Sequence, residues 1–326
     1  MDLLGQTLLF VVIATATLGG TGALLPFLRS RAILDHPNER SSHKTPTPKG
    51  GGIALMAVIL ATWVCIGIYR ESSIFLTWCL PGVAFVLAGL SWIDDLRGLP
   101  QITRFAVQTV AVFIILLLRP ESEEFFQGLL PPTLDALIAG ILWIWFINLF
   151  NFMDGIDGIT GIETIVIGVG IAIISEGTSA MMGGVLAAAA AGFLRWNWHP
   201  AKVFMGDVGS VPLGFLLGWL LLDMAGNGYW TVAIILPAYY LADSTFTLIR
   251  RALKGEKVWQ AHRQHFYQQA VQRGLSHANV TLRIAFLGAL LINLAWLAKQ
   301  GWPLPALGAA LMLTITFLFI LKRRQA

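Results

Sequence analysis

Apolar residues run along this chain in long unbroken blocks, with polar residues confined to the gaps between them. Eleven blocks stand out: 5–28, 51–69, 73–92, 104–119, 133–151, 158–175, 179–195, 208–224, 229–249, 281–298 and 303–321. Each approaches the roughly 20 apolar residues that a helix needs to cross a bilayer. Three of them (104–119, 158–175 and 179–195) are short or rich in Gly and Ala, so the count is ten or eleven. The pattern predicts an all-α fold, a polytopic transmembrane helical bundle forming one domain over 1–326. The first block starts at Met1-Asp2 without a basic flank. It is also too long for a cleaved signal peptide, so it is read as the first span.

Composition agrees with the blocks. The chain is 56% hydrophobic and 12% charged, against about 25% charged in a soluble domain. The net charge of +4 would fit a nucleic-acid partner if the cations formed one patch. They do not. All of the 22 Lys and Arg except Arg70, Arg119 and Lys299 fall in the loops after spans 1, 3, 5, 7 and 9, at the adjoining helix ends, or in the C-terminal tail. Cytoplasmic loops of membrane proteins carry this excess. The N-terminus is therefore expected to be periplasmic and the C-terminus cytoplasmic, the cations meet anionic lipid headgroups, and no nucleic acid is needed. The loop 119–132 on the other side, with Glu121, Glu123 and Glu124, reads as a solvated acidic loop. Cys65 and Cys79 both lie in apolar stretches and point to neither a disulfide nor a metal site.

The polar chemistry is one-sided. All six histidines and most carboxylates beside Gly or a second carboxylate fall in the predicted cytoplasmic loops 29–50, 93–104, 150–158, 196–208 and 250–280. The first loop reads DHPNERSSHKTPTPKGGGIA and offers Asp35, His43 and Lys44 before three glycines that open a span. Glycines at a helix start let backbone N–H groups approach a phosphate. The second, SWIDDLRGLP, places Asp94 and Asp95 at a membrane boundary, where adjacent carboxylates repel each other and are costly to desolvate. A divalent cation or a cationic partner would offset that cost.

In the third loop, NLFNFMDGIDGITGIE, Asn148, Asn151, Asp154 and Asp157 recur every three residues. If the helix continues through them, they share one slowly drifting face, and oxygen-bearing side chains so grouped suit a hard cation. The fourth, NWHPAKVFMGDVGS, holds Lys202 and sets Asp207 behind Gly206 at the start of a span. There an aspartate serves as a metal ligand or as a simple N-cap. In the fifth, His262 and His265 flank Arg263 and Gln264. On a helix the two imidazoles share a face. Zinc would want a third soft ligand or an HExxH pattern, and the loop has neither. Phosphate binding by imidazole and guanidinium is preferred.

Taken in order, DHPN, PTPKGGGIA, DDLRGL, NFMDGIDG, KVFMGDVGS and HxxH closely resemble the motifs of the polyprenyl-phosphate N-acetylhexosaminyl-1-phosphate transferases, over residues 35 to 267. The form HRQHFYQ is similar to the branch that initiates O-antigen synthesis. The resemblance implies a transferase of the bacterial inner membrane with its active site facing the cytoplasm. It also implies Mg²⁺ as cofactor, with Mn²⁺ as a substitute, a UDP-sugar donor and an undecaprenyl phosphate acceptor. Membrane lipids surround the chain, and a homodimer is a reasonable assembly. Carried over position by position, it implies Asp207 and Asn151 as metal ligands and Asp94, Asp95, Asp154 and Asp157 as catalytic residues. Asp35, His43, Lys44, Asn148, Lys202, Gly206, His262, Arg263, His265 and Arg104 would contact substrates, Arg104 meeting the lipid phosphate.

Two schemes remain open at this point: direct attack by the lipid phosphate, or an aspartate nucleophile forming a covalent intermediate. A transporter would place charges near mid-membrane, and only Asp223 and Asp243 come close to that. A CDP-alcohol phosphotransferase would continue D-G-I-D-G with an Ala-Arg step that is missing here. A lipid-binding scaffold would not need so many carboxylates on one face.

Overall fold

The computed structural model describes residues 3–37, 42–43, 45–119, 124–258, 260 and 262–322. Lys44, Glu121 and Glu123 lie outside them. The elements are α1 (Leu3–Ser30), β1 (Leu34–Asp35), β2 (Thr47–Pro48), α2 (Gly52–Tyr69), α3 (Leu80–Arg97) entered through a π-helical turn Phe75–Cys79, α4 (Gln101–Leu118), α5 (Pro132–Phe152), α6 (Ile159–Ile174), α7 (Gly177–Asn197) and α8 (Asp207–Met224). A second π-helical turn, Ala225–Tyr229, leads to α9 (Trp230–Ile235), α10 (Ala238–Leu253), α11 (Phe266–Gln272), α12 (His277–Lys299) and α13 (Pro303–Lys322). The fold is all-α, as expected, and the chain is a multi-pass membrane protein. Among the described residues nine helices are long and apolar enough to cross a membrane, and Ile159–Ile174 is a shorter apolar helix.

The expected count of spans changes in two places. Block 158–175 becomes the 16-residue α6. Blocks 208–224 and 229–249 become α8, α9 and α10, with the chain bent at Gly228 (φ 91°) and α10 restarting after Pro237. Gly228 adopts a left-handed backbone that residues with a Cβ avoid.

The core is organised around α8. In the apolar part of Asp207–Ile235, which α8 opens, 89% of the residues are buried, against 22% in α1 and α4. α8 packs on α2, α3 and α5, and a second layer of α6, α7 and α12 closes the other side. In lipid, helices have little hydrophobic drive to associate and rely on close packing of small residues. One close crossing is α2 on α8, where a Cβ on Gly52 would stand 2.5 Å from the Cα of Gly209. The indole of Trp143 in α5 donates to the carbonyl of Phe215 at 2.9 Å and locks α5 to α8.

Contacts between loops divide into two ends. At one end Lys49 bridges to Phe204, Gly51 and Gly52 donate to the carbonyls of Phe204 and Met205, and β1 pairs antiparallel with β2. At the other end Ser179 donates to Asp223 at 2.8 Å and Lys299 to the carbonyl of Ile174 at 2.6 Å. There Asp135, fully buried, accepts from the N–H groups of Phe125 and Phe126 and pairs with Arg119 at 3.7 Å.

Because Asp207 begins α8, the α2 crossing fixes its position. Gly52→Ala is expected to cost about 1–3 kcal/mol by overpacking, read as a lower thermal unfolding midpoint in detergent. An unchanged midpoint contradicts the crossing.

Candidate functional site

The site lies where α3, α5 and α8 meet at the first end. α3 stops at Gly98, which is left-handed (φ 67°), and the turn folds back so that the N–H of Leu99 donates to Asp94 Oδ1 at 2.5 Å. The other Asp94 oxygen is 3.1 Å from Arg104 Nη1, which is also 3.4 Å from Asp207 Oδ2. Asp95 points the other way. It accepts from the N–H of Val208 at 3.0 Å, and Lys49 stands 3.9 Å from it. Gly206 holds φ 76°, and a Cβ there would sit 2.6 Å from an Asp95 oxygen. The glycine therefore makes room for a carboxylate rather than binding anything through a side chain. Asn151, at the last turn of α5, donates to Asp207 Oδ1 at 3.0 Å and to Ser210 at 2.8 Å.

α5 ends at Phe152, so Asn148, Asn151, Asp154 and Asp157 do not share a helical face. Gly158 turns left-handed at φ 78°, and residues 153–158 form a loop that carries Asp154 and Asp157 sideways. Asn148, one turn back, bonds to Gln108 at 2.7 Å. Enclosure pushes the Asp154 carboxyl up to about 6; the Thr160 hydroxyl opposes this, while the charges of Asp207 and Asp157 add to it. Enclosure alone would also raise Asp157. Hydrogen bonds from His277 and His199 outweigh it and hold that carboxyl below the ordinary range.

Two cavities open here. One, of about 440 Å³, is polar and is lined by Asp35, His43, Lys49, Asp95, Asn151, Asp154, Asp157, Asn197, Phe204, Gly206, Asp207 and His277, among others. The other, of about 850 Å³, is an apolar groove between α3, α4, α5 and α10, lined by residues such as Leu87, Ile102, Phe105, Ile144, Trp145 and Ile249. Of these, Ile102, Phe105 and Ile249 are exposed. Asp94, Arg104, Gln108 and Asn148 form the polar end of this groove, and Asn151 and Asp207 line both cavities.

The remaining candidates sit elsewhere. Lys202 lies over the Trp196 ring at 5.5 Å and lines neither cavity. His262 and His265 are not on one helix, because α11 begins only at Phe266 with His265 as its N-cap. Their rings still stack, 4.8 Å apart. Burial, then the neighbouring His265, lowers His262 to about 4, so it is a neutral imidazole at pH 7 and not a standing cation. His265 is buried and donates through Nδ1 to Asp243 at 3.1 Å. Asp243 also accepts from the N–H groups of Phe266 and Tyr267 and from the hydroxyls of Tyr239 and Thr247. Arg263, in the same loop, gives its carbonyl to Gln272. His262, Arg263 and His265 line neither cavity; in this geometry the histidine loop is anchored by Asp243, beside the site.

Two residues that motif spacing did not single out do face Asp157. His199 Nδ1 is 2.6 Å from Asp157 Oδ2 and His277 Nδ1 is 3.2 Å from Oδ1. Only their one-sided placement in the sequence hinted at them.

The family model described as Glycosyl transferase family 4 matches residues 77–225, which carry Asp94, Asp95, Asn151, Asp154, Asp157 and Asp207. A probable undecaprenyl-phosphate N-acetylglucosaminyl 1-phosphate transferase of Bacillus subtilis is 28% identical, over 91% of this chain and 85% of its own. The central part of the chain is thus similar to glycosyl transferase family 4. A decaprenyl-phosphate N-acetylglucosaminephosphotransferase of Mycobacterium leprae is 28% identical over 83% of this chain and 78% of its own. An undecaprenyl-phosphate alpha-N-acetylglucosaminyl 1-phosphate transferase of Thermotoga maritima is 28% identical over 86% of both chains. These are proteins of the kind its motifs resemble, and the similarity to them extends well past the matched segment.

The Asp243 anchor makes its own prediction. Asp243→Ala leaves His265 and two backbone N–H groups buried without their acceptor, at a cost of about 3 kcal/mol or more. A thermal unfolding midpoint equal to that of the unaltered protein would contradict this role.

Proposed function

We propose that the protein transfers a hexosamine 1-phosphate from a UDP-sugar to a polyprenyl phosphate, giving a polyprenyl diphospho-sugar and UMP. The observation that carries this reading is the meeting of a polar cavity and an apolar groove at Asn151 and Asp207. A nucleotide-sugar needs the first and an isoprenoid chain the second, and their phosphates must touch. The names of the relatives from Bacillus subtilis, Mycobacterium leprae and Thermotoga maritima support a polyprenyl phosphate acceptor and the transfer of an amino-sugar phosphate. The HRQHFYQ stretch favours the initiation of O-antigen or a related envelope polysaccharide. The loop charges favour a site on the cytoplasmic side of a bacterial inner membrane.

A magnesium ion fits the donor set. Asp207, Asn151 and Asp154 offer only oxygen ligands, as hard cations prefer. The Asp154 carboxyl is raised first by enclosure and then by the charges of Asp207 and Asp157, and a cation would offset both. Such an ion supplies charge neutralisation at the donor pyrophosphate.

The rest is done by the chain. Arg104, at the polar end of the groove, receives the lipid phosphate and gives up part of its pairing with Asp94 and Asp207 to do so. The acceptor phosphate has a second pKa near about 6 and is largely dianionic at pH 7, so it needs little help from a base. Its oxygen attacks the β-phosphorus of the donor, the bond to the bridging oxygen breaks, and UMP leaves with that electron pair. Positioning and charge stabilisation supply most of the catalysis in such transfers. Asp94 and Asp95 each already accept a backbone N–H and face a cation, which makes them poor nucleophiles and favours direct attack over a covalent intermediate. They orient Arg104 and Lys49 toward the phosphates.

The test is UMP release from a panel of UDP-sugars in the presence of undecaprenyl phosphate. The expected outcome is Mg²⁺-dependent release with one or more of them, falling by about a hundredfold or more in Asp207→Ala. Absence of release with every donor would refute the activity, and full activity in Asp207→Ala would refute the role of that residue.

A further inference from the structure

Asp157 is held more completely than any transfer chemistry at Asn151 and Asp207 requires. Its side chain receives His199 Nδ1 at 2.6 Å and the N–H of Ala201 at 3.2 Å on Oδ2, and His277 Nδ1 at 3.2 Å on Oδ1. Its carbonyl accepts the hydroxyl of Thr281 at 3.0 Å. The next N–H, of Gly158, donates to Asn197 at 3.0 Å. His277 and Thr281 are four residues apart in α12 and so lie on one face of it. The first turns of α12 thus grip this aspartate, although no motif reaches that helix.

Two readings of the cluster compete, and distance separates them. Two imidazoles and a carboxylate are a familiar ligand set for zinc. Zinc binds N and O ligands at roughly 2.0–2.2 Å, so tetrahedral partners stand about 3.3 Å or more from each other. The 2.6 Å between His199 and Asp157 is too close for two ligands and right for a charge-assisted hydrogen bond. That spacing fits a shared proton and not two ligands of one metal. At His277 the N–H of Asp157 also points at Nδ1, from 3.3 Å, and one nitrogen cannot accept from it and donate to Oδ1 at once. The bond to the carboxylate is the stronger of the two, so Nδ1 carries the hydrogen.

Resting on the reading of the polar cavity as the donor site, we propose that His277, with His199, is a positioning residue for UDP-sugar binding: the two imidazoles clamp Asp157 from both sides and fix its carboxylate, as an acceptor, against hydrogen-bond donors of the nucleotide. His277 acts through Asp157 and through Nδ1 alone. That assignment singles out one replacement. The amide nitrogen of Asn superposes on imidazole Nδ1, whereas that of Gln superposes on Nε2.

The experiment uses the full chain in detergent and reads steady-state UMP release, with UMP titration calorimetry as a direct probe of the cavity. His277→Ala is expected to raise KM for the donor and the Kd for UMP about tenfold, the scale of a hydrogen bond to a charged group, with a smaller change in kcat. His277→Asn restores most of both, and His277→Gln does not. If His277→Ala fails to fold, the comparison of Asn with Gln carries the same decision.

An active parent protein whose His277→Ala variant keeps its donor KM overturns the proposal. So does equal behaviour of the Asn and Gln variants, which would mean that His277 only fills space. Stoichiometric Zn²⁺ binding that disappears in His277→Ala would favour the metal reading instead. A parent protein that neither binds UMP nor turns over any UDP-sugar removes the donor reading first, and the clamp falls with it.

Discussion

Arg104 reaches Asp94 of α3 and Asp207 of α8 at once, at 3.1 and 3.4 Å, and the geometry of the site depends on that bridge. Like charges 4 Å apart repel by about 4 kcal/mol at a protein–water boundary, so Asp94, Asp95, Asp154 and Asp207 could not gather there unaided. Arg104 and Lys49 offset part of that charge, backbone N–H groups and Asn151 offset more, and an excess of negative charge remains. Under the proposed function a cation would offset that excess and, with Arg104, let the site receive anions. Attraction for phosphates thus arises at a place built mostly from carboxylates.

The bridge is only as fixed as the helices under it. α8 is almost wholly enclosed, and its close crossing with Gly52 of α2 leaves little freedom to shift. The second π-helical turn and the restart of α10 after Pro237 occur far from Asp207 along the chain, so α8 can end irregularly without disturbing its first turn. Asp243 of α10 serves the same end in another way. Three of its five hydrogen bonds, from His265, Phe266 and Tyr267, tie the chain after α10 back onto the bundle.

Much of this was legible in the sequence. Apolar blocks marked the helices to within a few residues, and carboxylates beside glycines marked one functional end. Asp95, Asn151, Asp154, Asp157 and Asp207 line one cavity, and Arg104 links Asp94 to Asp207. The misreadings have local causes. A three-residue repeat from Asn148 to Asp157 looks helical, but glycines at 155 and 158 let the chain leave the helix. HxxH looks like a helical face, but His265 is spent capping α11 and bonding Asp243. Lys202 seemed placed for a phosphate, yet it finds an indole first. His199 and His277 lie 78 positions apart, and nothing local in either segment says that both will meet Asp157.

The central claim is that donor and acceptor phosphates meet at Asn151 and Asp207. Crystals grown with Mn²⁺ and UMP test it most directly, because manganese is located by its anomalous scattering. The account predicts one strong peak within coordination distance of Asp207, with Asn151 or Asp154 beside it and the UMP phosphate on its open side. A peak at Asp157, His199 and His277 instead, with none at Asp207, would contradict it.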